Sequence, residues 1–143
     1  MKLIDGLLKL NELKNNGHGE DMVLASEQLE DSITFYKISN FKYNEELNLC
    51  NMILKFAFNT ANQPEWIFSM KEYCENTLTI NKAYDLLKWL ELNGHGNIPI
   101  GQENILIESY NPVEEIFYEE KLNICSFNIT GNSEKEEELL SFL

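Results

Sequence analysis

The chain's two histidines, His18 and His95, both sit in the tetrapeptide Asn-Gly-His-Gly, at 16–19 and again at 93–96. An imidazole titrates near neutral pH, so it can ligate a divalent metal or move a proton. Glu20 and Asp21 follow the first copy closely enough to act as its carboxylate partners. If the copies met across a pseudo-two-fold, His18, His95, Glu20 and Asp21 would make the site of a small metal-dependent hydrolase. The local spacing argues otherwise. Catalytic zinc usually takes three protein ligands, no H-E-x-x-H helix is present, and flanking glycines suit an exposed loop as well as a ligand. Neither G-x-S-x-G nor a phosphate loop ending in Lys-Ser/Thr occurs. No catalytic residue, metal or cofactor is assigned on this basis, and the reading leans away from an enzyme.

Cys50, Cys74 and Cys125 are odd in number and widely spaced, and each lies among apolar residues. They read as reduced core thiols, since no C-x₂₋₄-C pair offers a zinc site. That fits a cytoplasmic protein, as does an N-terminus whose apolar run is interrupted by Asp5, Lys9 and Glu12. No run approaches the roughly 18 apolar residues that a membrane span needs.

Charge is the more informative feature. The 143 residues carry a net charge of −13 from 24 acids against 11 bases, and every base is lysine. A chain without arginine lacks the bidentate clamp used on phosphate and guanine, and its negative field would repel a nucleic-acid backbone. Residues 97–143 hold ten of the acids and two of the lysines. Within that stretch Glu108, Glu114, Glu115, Glu119 and Glu120 are expected to crowd into one patch, with Tyr110 or Phe117 as aromatic anchors. The partner such a patch would meet is a basic protein. Small acidic proteins of this kind serve as immunity proteins for nuclease toxins or as phage-encoded inhibitors of nucleic-acid-handling machines, an analogy of charge and size alone. A structural subunit of a larger assembly is the third reading, and the oligomeric state is left open.

The elements that would carry these residues can be read in outline. Residues 2–15 show an apolar stripe at helical spacing that stops at Asn15-Asn16-Gly17. Met22–Ala25 and Ile33–Phe41 favour a strand hairpin. Asn44 looks like an N-cap, and the run 47–61, apolar on most sides, predicts a central buried helix. Pro64 opens a further helix that carries Trp66 to Cys74 and fades at Asn76-Thr77, and Asn81 would cap another that stops on the glycines of Asn93-Gly94-His95-Gly96. Strands follow at Ile105–Glu108, Ile116–Glu119 and Leu122–Ile129, with turns at Asn111-Pro112 and Glu120-Lys121. Ser133-Glu134-Lys135-Glu136 matches a capping box for a short acidic C-terminal helix or tail over 132–143.

The expected fold is therefore a single α+β domain: a helical core between Asn44 and Leu92 with a small antiparallel sheet drawn from both ends. The repeated Leu-Leu-Lys and Asn-Gly-His-Gly elements also suggest pseudo-repeats, 1–43 and 80–130, each helix-strand-strand, with a five-residue insertion at Asn97–Gly101. The competing explanation is convergence, since Asn-Gly is a common way to end a helix.

Overall fold

The computed structural model of the protein describes residues 1–62 and 66–129. Pro64 and the 132–143 segment lie outside them. Among the described residues no helix is long and apolar enough to cross a membrane.

The helix predicted at the N-terminus is α1, Leu3–Leu13, and its buried stripe is Leu3, Gly6, Leu7, Leu10 and Leu13. The helix ending at the second glycine turn is α3, Ile80–Leu90, with Ile80, Ala83, Leu87 and Leu90 buried. Thr79 caps it rather than Asn81, its hydroxyl accepting from the Lys82 N–H at 3.2 Å. Between them α2 spans Trp66–Tyr73.

The rest corrects the expected architecture. Six strands close into a barrel in the order β1 (Met22–Gln28), β2 (Ile33–Asn44), β3 (Leu49–Asn59), β4 (Ile100–Asn104), β5 (Ser109–Glu119) and β6 (Ile124–Ile129). The core is built on this mixed sheet, with three short helices beside it, and not on a helical bundle with a small sheet. β1–β2–β3 and β4–β5–β6 are antiparallel meanders, joined by parallel pairing of β3 with β4 and of β6 with β1.

The largest correction is β3, which takes the place of the expected central helix. An apolar run with no 3.6-residue stripe does not distinguish a buried helix from a strand. Here Leu49, Cys50 and Met52 are buried while Lys55, Phe56 and Ala57 are exposed. The Asn44 signal has a different outcome: its side chain accepts from the Leu47 N–H at 3.1 Å, closing a turn that ends at Asn48 with φ 50°. Two smaller expectations also fail. Ile105–Ile107 is a 3₁₀ turn capped by Asn104, and Asn111-Pro112 lies within β5, where Pro112 pairs with Gly101.

The two halves carry one architecture, helix-strand-strand-strand rather than helix-strand-strand. α1 and α3 are both 11 residues long and start 77 positions apart. Their backbone bonds cross between the halves in matching pairs. Leu3 N–H donates to Ile98 O at 2.8 Å as Ile80 N–H donates to Asp21 O at 2.9 Å. Ile4 N–H bonds Gly96 O and Asn81 N–H bonds Gly19 O, both at 2.9 Å. Each half's glycine turn thus caps the other half's helix. The β-bulges after Ile38 and after Val113, and the buried Cys50 and Cys125, also correspond.

This register differs from the one the sequence echo suggests. Leu10 corresponds to Leu87 and Leu13 to Leu90, so the Leu-Leu-Lys match is out of phase by two residues. Val23 corresponds to Ile100, which leaves no room for an insertion at 97–101. The corresponding units also run past residue 43 to include β3.

The β5 backbone runs close over Gly101, where a Cβ would lie 2.6 Å from the carbonyl oxygen of Asn111. Gly101→Ala is therefore expected to force β4 from β5 and cost about 1–3 kcal/mol, read as a lower urea midpoint at an unchanged m-value.

Candidate functional site

The glycine turns position both histidines, though not together. Gly17 (φ 90°) and Gly94 (φ 91°) take the left-handed conformation that lets the chain leave each helix. His18 then packs on Tyr118 with ring centroids 4.2 Å apart, and its Nδ1 lies 3.1 Å from an Asp21 carboxylate oxygen. Tyr118 donates its O–H to the same oxygen at 2.6 Å and reaches Asn123 Oδ1 at 3.2 Å. His95 stacks on Tyr43 at 3.9 Å, and the Tyr43 hydroxyl donates to Asn48 at 2.9 Å. These are corresponding arrangements, each histidine resting on a tyrosine of the other half. The carboxylate is particular to the first, because Ile98 takes the place of Asp21 in the second.

The histidines therefore do not converge. The crossed caps set α1 and α3 antiparallel, and an 11-residue helix is about 16 Å long, so His18 and His95 lie at opposite ends of the pair. Glu20 turns to accept from Asn81 Nδ2 at 2.9 Å. Only His18 and Asp21 of the four candidates meet, and among the described residues no three His, Cys, Asp or Glu side chains gather around a common point. What remains is a tyrosine–aspartate–histidine lock that fastens the first glycine turn to the β5–β6 turn.

Several groups in and around the core hold their protons tightly. Burial pushes the Cys50 and Cys125 thiols from 9.0 up to about 12. Burial raises Tyr73 from 10.0 to about 12 and Tyr118 likewise, the Tyr118 bond to Asp21 adding to the effect. Each group binds its proton more tightly folded than unfolded. Their stabilisation is complete below about pH 9, then shrinks as the pH rises through about 12. The thermal midpoint is expected to be steady from neutral pH to about 9 and to fall steeply above it. Tyr118→Phe should soften the part of that fall lying above pH 10. A flat midpoint across this interval would contradict the assignment.

The acidic residues divide along β5. An 11-residue strand spans roughly 35 Å, so Glu108 and Tyr110 near its start are far from Glu119 and Glu120 at its end. Glu108 ends the 3₁₀ turn with φ 48°, and Tyr110 pairs with Glu103 of β4. Glu114 occupies the bulge after Val113, and Glu120 lies in the turn beyond the strand. The single patch expected from sequence is thus broken up. Glu115, Phe117 and Glu119, at alternate positions, do share a face.

That face is a groove of about 550 Å³ on the outside of β5, β6, β1 and β2. Its register is explicit: Glu115 lies beside Asn128, Asn128 beside Ser26, and Ser26 beside Phe35. In the next row Phe117 lies beside Ser126. Ser26 and Ser126 are buried at the floor, and one hydrogen bond joins their hydroxyls. Met70 of α2 packs with Leu24 and with the lining residues Phe35 and Ile124, and Lys121 and Leu122 also line the groove. Sequence reasoning missed Ser26, Phe35, Ser126 and Asn128. The readable signal was alternation, since the small polar serines recur on the strand face opposite Val23, Ala25, Cys125 and Phe127.

The corresponding outer face of the other half is different. By the same register Glu115 becomes Asn40, Phe117 becomes Lys42, Ser126 becomes Asn51, Ser26 becomes Glu103 and Phe35 becomes Tyr110. The shared backbone therefore carries an apolar, acid-edged groove on one side, while on the other Asn40 and Lys42 line a separate pocket with Tyr43, Trp89 and His95. Trp89 near the end of α3 (65% exposed) and Leu92 just beyond it (73%) are among the other exposed apolar side chains. Glu12 and Asn15 hold the corresponding positions in the first half.

No family model matches the chain, and no curated protein or solved structure matches it either.

Proposed function

We propose that this protein is a non-enzymatic binding protein that docks on a basic, nucleic-acid-handling protein and blocks its phosphate-binding surface. The observation that carries the reading is the placement of Glu115 and Glu119 on either side of Phe117 at the edge of one groove. Two carboxylates beside a partly exposed aromatic ring supply electrostatic steering and an apolar anchor on one surface. The net charge of −13 would draw a cationic partner in from a distance and repel its nucleic-acid ligand.

The reading is tested with a panel of purified basic nucleases and polymerases. Binding is measured by calorimetry, and activity on nucleic acid is followed in parallel. Expected is an association that inhibits the target and weakens sharply as ionic strength rises. Failure to associate with any basic protein at low ionic strength would overturn it.

A further inference from the structure

We infer that the partner adds an extended segment to the outer edge of β5 over residues 114–119, in the pattern basic-x-apolar-x-basic. The inference rests on the docking reading above and specifies the form of the docked segment. β4 pairs with β5 only at 109–112, and the Met1 nitrogen then donates to the Val113 carbonyl at 2.9 Å. Beyond that point β5 pairs with β6 alone among the described residues. Alternate residues of an antiparallel strand turn their N–H and C=O groups away from the partner, so 114–118 presents an edge that a further strand can bond. The edge is already held in place. Ile116 is buried beside Gly6 of α1, and Tyr118 is tied to Asp21 and Asn123. Little ordering is left for binding to supply.

The side chains set the pattern. Glu115, Phe117 and Glu119 line the groove on the outer face, and residues of an added strand would sit opposite them at about 5 Å. Glu115 and Glu119 are about 13 Å apart along β5, the spacing of positions i and i+4 in any strand. A lysine or arginine opposite each glutamate therefore brackets one residue opposite Phe117, which is 39% exposed and suits an apolar side chain. The pattern reads the same in both directions, so it serves a parallel and an antiparallel segment alike. Two copies of this edge would set Glu115 against Glu119, and like charges placed opposite disfavour self-pairing. β2 has the same kind of edge past Lys37, where it pairs with β3 alone among the described residues. Its corresponding positions are Asn40, Lys42 and Asn44, which offer a basic segment no carboxylate.

The test is a fluorescent peptide of about nine residues centred on Lys-Thr-Leu-Thr-Lys, titrated against the full chain at low ionic strength. It should bind at least about tenfold more tightly than the same residues reordered as Lys-Lys-Leu-Thr-Thr. Phe117→Ala and the double variant Glu115→Lys/Glu119→Lys should each lower the affinity about tenfold or more, and Lys42→Ala should not. Circular dichroism confirms that each variant is folded. N-methylation of the peptide backbone gives the readout particular to a strand. At alternate positions it should weaken binding about tenfold, and at the positions between it should do little, because only alternate N–H groups face the edge. A peptide that binds through the glutamates yet tolerates N-methylation at every position would overturn strand addition and leave the docking reading intact. Equal binding of the reordered peptide, or no binding of either, would overturn the inference whatever the purified-protein panel shows.

Discussion

Leu10→Ala and Leu87→Ala are expected to destabilise the protein by about 3 kcal/mol each, and by nearly equal amounts. Both side chains are buried in the same cluster, Leu10 and Leu87 at 0% exposure, at corresponding positions of α1 and α3. Each removal takes out three carbons and leaves a cavity that close-packed neighbours cannot fully collapse. Domain stabilities are typically about 5–15 kcal/mol, so the double variant should lie near or past the limit of folding at ordinary temperature. Urea titration of the three variants measures this. If one substitution cost less than about 1 kcal/mol while the other cost 3, the halves would not be bearing equivalent roles in the core.

The second large effect concerns recognition. Glu115→Lys with Glu119→Lys should reduce affinity for the basic target about a hundredfold, chiefly through slower association, with much of the loss absent at high salt. Neither side chain is buried and neither forms an ion pair among the described residues, so the thermal midpoint should move by only a degree or two. Glu108→Lys, at the other end of β5, serves as the comparison and should weaken binding far less. Stopped-flow association at two ionic strengths separates these outcomes. Equal losses for the distant and the groove substitutions would mean that only overall charge matters.

How far the fold could be read depended on which patterns are local. α1 and α3 were legible because Leu3, Leu7 and Leu10, and Ala83, Leu87 and Leu90, repeat at helical spacing before a glycine stop. The β1–β2 hairpin and β6 were legible from β-branched and aromatic runs. β3 was not, because Leu49 through Phe58 alternates too weakly to reveal a strand, and Asn44 makes the same first hydrogen bond in a turn as it would at a helix start. Closing the barrel depends on parallel pairing between residues far apart in sequence, such as Val23 with Cys125, and no local signal carries that. For the site, the acidic composition pointed to β5. It could not show that Glu108 and Glu119 stand apart while Ser26 and Ser126 meet across 100 positions of chain.

Pairing of the first strand with the last also has a consequence for biosynthesis. Met22–Gln28 can find its partner only after Ile124–Ile129 has emerged from the ribosome, and until then one side of it is an open template for other chains. α1 waits likewise for the carbonyl of Gly96. A nascent chain stalled after the first three strands would therefore be sticky and only partly ordered, and loss of the last strand would leave an aggregating fragment rather than a smaller stable protein.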